Sequence, residues 1–236
     1  SAWDAKDLNR KVIFSFSEQY KTFLDKVKTE REFVKEAVIM AERKGFRNLD
    51  AVAGDHPLVP GDRVYRVVKN KLIMLAVIGE KPLVEGVRIL GAHVDSPRID
   101  IKQNPLYEVN EMAFLKTHYY GGIKKYQWAA IPLAIHGVFV KTDGTTVEIV
   151  VGEDEKDPIF TITDLLPHLA KDQYEKKLAD AFAGEAMNIL LGSEPVQVED
   201  TKEKVKLNLL RLLNESHGIK EEDFLSAELE IVPAFK

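Results

Sequence analysis

The chain has 236 residues, a net charge of -5 and 45% hydrophobic residues, enough to bury a sizeable core without disulfides or a structural metal. It contains no cysteine, which excludes thiol nucleophiles, zinc fingers and iron–sulfur ligation. Any metal must therefore be held by His, Asp and Glu. Basic and acidic residues are mixed along the chain, so neither nucleic acid nor a membrane surface is expected as a partner.

The first residues lack the basic and apolar regions of a signal peptide, and no run reaches the roughly 18 apolar residues of a membrane span. We therefore expect a cytoplasmic protein.

The first hundred residues predict two helices followed by strands. Helical spacing predicts a first helix with one apolar face, made of Phe16, Tyr20, Phe23, Leu24 and Val27. A capping box from Thr29 to Glu32 predicts the start of a second helix, which ends at Gly45. Its predicted buried stripe is Phe33, Val34, Ala37, Val38 and Ala41.

Three strand patterns follow the second helix. Residues 63–69 and 72–78 form a predicted hairpin around the turn Asn70-Lys71. Residues 87–92 are apolar on both faces, which is typical of an interior strand in a sheet covered by helices.

The pattern changes near residue 100, where strands begin to dominate. Strands are predicted at 107–118, 128–141 and 146–151, the last two separated by a turn at Asp143-Gly144. An apolar stretch at 160–166 and a short helix at 173–182 come next. A longer helix is predicted at 201–216, with Gly218 beyond its end and the inward residues Val205, Leu209, Leu212 and Leu213.

The last predicted strand alternates along its length. Leu225, Ala227, Leu229 and Ile231 point one way, whereas Ser226, Glu228 and Glu230 point the other. Such alternation predicts a strand with one face in water.

The residues best suited to chemistry are His93 and Asp95, which follow the apolar run 87–92. Polar side chains at the carboxyl end of an interior strand open into the ligand crevice of an α/β sheet. Because alternate residues share a side, His93 would ligate a metal while Asp95 holds its other ring nitrogen. The alternative is a purely structural His–Asp pair, since composition alone makes such a triplet unsurprising.

Several stretches resemble, in order and spacing, the aspartyl aminopeptidase family of two-zinc metallopeptidases. They are Gly91-Ala92-His93-Val94-Asp95-Ser96-Pro97, Tyr120-Gly121-Gly122, Trp128 with Leu133 through Gly137, and Leu166-Pro167-His168-Leu169-Ala170. The resemblance extends from about Phe16 to the last residue.

The resemblance implies an α/β fold, in which a partial zinc-peptidase α/β domain carries an inserted β-rich (α+β) dimerisation domain. The implied domains are 1–100, the first part of the peptidase domain, 101–232, the insertion, and 233–236, the return. His93 would then ligate one of two zinc ions and Asp95 would orient it. His168, in the insertion, would reach the active site of a neighbouring subunit, to bind substrate or stabilise the oxyanion.

Two departures from the family pattern leave the substrate residue open. Ala130, Ile131, Pro132 and His136 occupy a segment that carries charged residues in the family, and Lys171-Asp172 follows Ala170 where the family has a second His. A preference for acidic N-terminal residues and a broader specificity are equally compatible with this sequence.

The remaining zinc ligands and the carboxylate base are not found in this chain. The acidic cluster Glu221-Glu222-Asp223 lies between a helix and a strand and is predicted to be a solvated turn. His118 and His136 are expected to be structural or interfacial, His56 and His217 to lie in loops or at a helix end.

We therefore expect a zinc-dependent aminopeptidase that acts on peptides and forms homo-oligomers, built from dimers and as large as a dodecamer. This chain would carry its first metal ligand and its dimerisation domain, and would be inactive alone. The alternative is a non-catalytic oligomerisation module with a vestigial His-x-Asp site, in which the hairpin 128–151 forms the interface. A related two-zinc carboxypeptidase or deacetylase is a third possibility, against which the Tyr-Gly-Gly and Pro-His-Leu-Ala stretches argue.

Overall fold

A computed structural model describes residues 3, 9–52, 54, 57–198 and 201–235. The chain divides into two compact units, Ser1–Ser96 (unit 1) and Pro97–Lys236 (unit 2), each described below by itself. No helix within the described ranges is long and apolar enough to cross a membrane.

Unit 1 consists of two long helices and a small mixed sheet. The helices are α1 (Arg10–Lys26), α2 (Glu30–Arg43) and the short α3 (Leu49–Val52). The strands are β1 (Arg47–Asn48), β2 (Arg63–Val68) and β3 (Leu72–Val77), in the order β1-β2-β3. β1 runs parallel to β2, and β2 runs antiparallel to β3.

The local signals of unit 1 are confirmed. The Thr29 side chain accepts a hydrogen bond from the Glu32 backbone while the Glu32 carboxylate accepts from the Thr29 backbone, so the predicted capping box begins α2. Val34 and Ala41 are buried on the predicted stripe. The β2–β3 turn lies one residue earlier than predicted, because Lys69 and Asn70 take the left-handed conformations, with φ of 51° and 58°.

Unit 1 nevertheless leaves much apolar surface exposed. α1 contains no buried residue, although its spacing is amphipathic, and Phe16 is 70% exposed. The predicted strand at 87–92 is wrong for this structure: the segment has no regular secondary structure, and Leu90 is fully exposed. A strand that is apolar on both faces needs neighbours on both edges and both faces, and no described strand pairs with it.

Unit 2 is built around a sheet of seven strands. They are β4 (Arg98–Val109), β5 (Met112–Tyr120), β6 (Leu133–Val140), β7 (Thr146–Val151), β8 (Thr161–Ile162), β9 (Ile189–Gly192) and β10 (Glu228–Pro233). Their order is β7-β6-β10-β4-β5-β9-β8, and all pairs are antiparallel. Leu133 of β6 also exchanges two backbone hydrogen bonds with Phe160, next to β8, so the sheet curls back towards itself.

The sheet encloses a large apolar core. The helices of unit 2 are α4 (Lys171–Tyr174), α5 (Leu178–Ala181) and α6 (Lys204–His217), and α6 packs against β4 and β5. The centre of the core includes Ile99, Leu133, Ile189, Val205, Ile219 and Ile231, all at most 1% exposed. Gly137 is required where β6 meets β10, because a Cβ there would overlap the carbonyl oxygen of Glu228.

Several strand and helix predictions in unit 2 need correction. The strand predicted at 107–118 is a hairpin of β4 and β5, because Asn110 and Glu111 both take positive φ and reverse the chain. The helix predicted at 173–182 is two four-residue helices, α4 and α5. On α6, Val205 is buried as predicted, but Asn208 is buried as well, whereas Leu212 is 47% exposed.

The last strand, β10, is not wet on one face. It lies between β6 and β4 in the middle of the sheet, and Glu230 is only 2% exposed. The reason is charge pairing, because Arg98 of β4 lies 3.3 Å from the Glu230 carboxylate and is itself buried.

Candidate functional site

The predicted metal-binding pair forms in the irregular segment at the end of unit 1. Nδ1 of His93 lies 3.1 Å from Oδ1 of Asp95. This contact assigns Nδ1 to the carboxylate and leaves Nε2 as the ring nitrogen for a ligand, the arrangement typical of carboxylate-oriented metal ligands. The His93 side chain is 93% exposed, whereas that of Asp95 is 31% exposed.

The pair forms although the predicted strand before it does not. In extended backbone, residues two apart project to the same side whether or not a neighbouring strand is present. The His-x-Asp spacing alone is therefore enough to bring the two side chains together.

These residues are too few to hold zinc by themselves. A zinc site needs about four ligands, or three and a water, and His93 supplies one nitrogen. Within the ranges that the structure describes, no group of three or more His, Asp and Glu side chains could hold a metal ion. The described residues therefore supply one imidazole nitrogen suited to a metal ion, but no complete metal site.

His168 lies in unit 2, on a single 3₁₀ turn, Pro167–Leu169. The turn is fixed at both ends: Oδ1 of Asp164 accepts hydrogen bonds from the Leu165 backbone and the Gln173 side chain, and Ala170 is 1% exposed. The imidazole itself is exposed to solvent. The structure therefore presents His168 on the surface of unit 2, and His93 belongs to unit 1.

Of the remaining described histidines, His136 is buried and His118 and His217 are exposed. Nε2 of His136, a buried residue of β6, lies 3.0 Å from Oε1 of Glu153. His118 of β5 lies opposite Asp100 of β4 in the strand register. His217 is the last residue of α6. His56 lies outside the described residues.

The acidic cluster predicted as a solvated turn is a 3₁₀ helix, Glu221–Ser226. Asp223 is only 6% exposed and accepts a hydrogen bond from the Lys220 backbone, so it caps this helix. The prediction of a solvated turn is wrong for Asp223, because its carboxylate is occupied by the helix start that follows α6.

Sequence reasoning missed a buried cluster of charges around Arg98. Its Nε lies 2.8 Å from Oδ1 of Asp100 and 3.3 Å from Oε2 of Glu230, and its guanidinium lies 4.3 Å from the Tyr120 ring centroid. No local signal marked this cluster, because the alternating Glu228 and Glu230 of β10 are equally typical of a strand with one face in water.

The chain is similar to known proteins along most of its length. The family described as "Aminopeptidase I zinc metalloprotease (M18)" matches residues 23–236. A probable M18 family aminopeptidase 1 from Clostridium acetobutylicum is 52% identical over 238 residues, covering 100% of this chain and 51% of the relative. Its counterpart from Thermotoga maritima is 47% identical over 226 residues, covering 96% of this chain and 49% of the relative.

Solved structures show the same relationship. The M18 aminopeptidase from Thermotoga maritima matches with a TM-score of 0.89 at 46% identity, over 96% of this chain and 49% of that one. Aminopeptidase I from Clostridium acetobutylicum matches with a TM-score of 0.87 at 49% identity, over 99% and 52%. A dodecamer from S. cerevisiae shares the fold at 17% identity and a TM-score of 0.61, over 92% and 48%. The chain spans about half the length of the relatives it matches.

Proposed function

Because the chain belongs to the M18 family of zinc metalloproteases, we propose that it is part of an aminopeptidase that removes N-terminal residues from peptides. The observation that carries this proposal is the His93–Asp95 pair, 3.1 Å apart, within the family match. In the complete site His93 binds one of two zinc ions through Nε2, and Asp95 orients the ring.

The apolar surface of unit 1 supports the view that this chain is one portion of a larger catalytic domain. On β3, Met74 and Leu75 are 55% and 49% exposed although they point to opposite faces. Large apolar side chains are also exposed in α1 and at 83–90, among them Tyr20, Leu24, Val84 and Ile89. Soluble monomers rarely expose apolar surface on this scale. Relatives of twice the length have enough further chain to cover it.

The carboxylate base and the other zinc ligands then belong to a further part of the polypeptide, which corresponds to the half of the relatives that this chain does not match. His168 acts at the active site of a neighbouring subunit, where an exposed imidazole on a fixed turn binds substrate or stabilises the oxyanion. Whether acidic N-terminal residues are preferred stays open. The domain boundaries at 100 and 232 stay predictions from the sequence. The cytoplasmic location is also a prediction, and cell fractionation tests it.

The same proposal includes a homo-oligomer. In unit 2, β7 is an edge strand that pairs with β6 among the described strands, and Val150 on it is 53% exposed. An exposed edge of this kind favours symmetric pairing with a second copy. The S. cerevisiae protein of the same fold is a dodecamer. Sedimentation of the purified chain measures the assembly, and a monomer at micromolar concentration would contradict this part.

The competing proposal is a non-catalytic assembly module, which the single ligand in this chain favours. An isolated His–Asp pair holds zinc poorly, whereas a completed site holds it tightly. Zinc content and aminopeptidase activity of the completed polypeptide therefore separate the two proposals.

To test the function, residues 1–236 are joined to the second half of the 52% identical Clostridium acetobutylicum relative. We expect the fusion to hydrolyse aminoacyl anilides and to bind zinc. His93→Ala should abolish hydrolysis and reduce the bound zinc from two ions to one, and Asp95→Asn should weaken binding of that ion by about 10- to 100-fold. His118→Ala, at an exposed histidine of β5, is the matched control and should change neither. A fusion that folds and binds zinc with His93→Ala as tightly as without it would defeat the assignment.

A further inference from the structure

The sheet of unit 2 is held together unevenly. β10 pairs with β6 through six residue pairs, but with β4 through two, Glu230 with Asp100 and Ile231 with Ile99. One part of the sheet is thus β7-β6-β10 and the other is β4-β5-β9-β8, and the two are also joined by the backbone hydrogen bonds between Leu133 and Phe160. The boundary between β10 and β4 is called the seam below.

Of the two pairs that close the seam, one places two carboxylates directly opposite each other. Glu230 and Asp100 are register partners, so their side chains project from the same face. Like charges in directly opposed positions of an antiparallel pair are destabilising. The seam therefore combines a short ladder with an unfavourable charge pair.

Arg98 lies close to both carboxylates, and its positive charge offsets their repulsion. Its Nε lies 2.8 Å from the Asp100 carboxylate and 3.3 Å from the Glu230 carboxylate, while the Tyr120 ring contacts the guanidinium. Arg98 and Glu230 are 5% and 2% exposed. Charge interactions at such buried positions are much less screened than those in water.

We propose that Arg98 is an electrostatic clamp that keeps the seam closed, and that the sheet of unit 2 opens first at this seam when the clamp is removed. β4 is the strand that directly follows the His93–Asp95 segment in the chain. The clamp therefore fixes the backbone at the first residues after the candidate site. This inference uses contacts within unit 2 alone and does not depend on the proposed activity.

The test is native-state hydrogen exchange by mass spectrometry on the purified chain. Arg98→Met should raise amide exchange in peptides covering 99–101 and 229–231 by about tenfold or more, because breaking a buried ion pair on one side leaves an uncompensated charge. Peptides from the β6–β7 hairpin should change little.

The matched control is Lys102→Met. Lys102 is also a basic residue of β4, but its carboxylate partner is Glu185, outside the seam. Equal exchange at the seam in Arg98→Met and Lys102→Met would overturn the proposal.

A rescue variant separates charge from packing. In the double variant Arg98→Met with Glu230→Gln, only one of the two opposed carboxylates remains. We expect the amide exchange rate at the seam to return to within about threefold of the wild-type rate. If Arg98→Met does not fold, a folded and protected double variant supports the clamp. An unprotected or unfolded double variant shows that Arg98 acts through packing and overturns it.

Discussion

Tyr65 links the sheet of unit 1 to its second helix through one hydrogen bond. The residue is 5% exposed on β2, and its hydroxyl donates to Oε1 of Glu42 at 2.7 Å. This hydrogen bond, followed by burial and by the negative charge of Glu42, raises the pKa of Tyr65 above its ordinary value. The folded state thus holds the phenolic proton more tightly than the unfolded state does.

This pKa shift predicts an alkaline loss of stability. The contribution is fully present below about pH 10, the ordinary tyrosine value, and is lost as the pH rises through the higher folded pKa. Tyr65→Phe should therefore lose less stability than the wild type as the pH rises above about 10, measured by urea unfolding at each pH.

The control for this measurement is Tyr174→Phe, because Tyr174 on α4 is 70% exposed. Its pH profile should follow that of the wild type. If the Tyr65→Phe profile also follows that of the wild type, the hydrogen bond to Glu42 does not hold the proton in solution.

At the scale of the element, the Thr29 capping box is the clearest signal for the start of a helix. Thr29 is 6% exposed, and Oγ1 accepts a hydrogen bond from the Glu32 backbone. Thr29→Ala should destabilise unit 1 by about 1 kcal/mol, since one orphan donor of the helix start loses its partner. Urea unfolding followed by helical circular dichroism measures the change.

Thr22→Ala serves as the comparison, because Thr22 lies inside α1 and its hydroxyl donates to the Glu18 carbonyl. A threonine in a helix interior contributes no cap, so this substitution should be neutral or slightly stabilising. Equal destabilisation by both substitutions would contradict the capping argument.

Elements defined by neighbouring residues were the predictable ones. The capping box, the end of α6 at Gly218 and the His93–Asp95 pair all depend on residues within four positions of each other, so the sequence displays them directly. The burial of Glu230 depends on Arg98, which is close only because β4 and β10 are adjacent in the sheet. Strand order is a property of the tertiary structure, and the alternating pattern of β10 does not reveal it.

The segment 87–92 is a second case in which the local sequence does not determine the structure. Its apolar composition correctly describes a sequence suited to an interior strand, but pairing requires neighbours that the described residues do not provide. The residues of the candidate site were found because their spacing is local. Further zinc ligands, which must converge from distant strands, leave no such local signal.

At the scale of the whole molecule, the two units differ in how well they bury their apolar residues. Unit 2 has a continuous core from β4 to β10, whereas the buried apolar side chains of unit 1 are Val34, Ala41, Val64 and Tyr65 among its described residues. We expect residues 97–235 alone to unfold cooperatively. Residues 1–96 alone should lack fixed tertiary packing.

Near-UV circular dichroism and thermal unfolding of the two fragments check this prediction. Unit 2 should keep the sharp aromatic signal of the Phe139–Phe224 contact, whose ring centroids are 5.0 Å apart. A cooperative transition in the 1–96 fragment, or none in 97–235, would show that the units do not fold as the burial suggests.

The central position of β10 also has a consequence for synthesis on the ribosome. Strands β4 to β9 emerge first, yet β6 and β4 become neighbours only through β10, the last strand in chain order. Until residues 228–233 leave the exit tunnel, both strands present open edges, which are available to other nascent chains. For the sheet of unit 2, we therefore expect chaperone protection during translation to matter until this short strand has appeared.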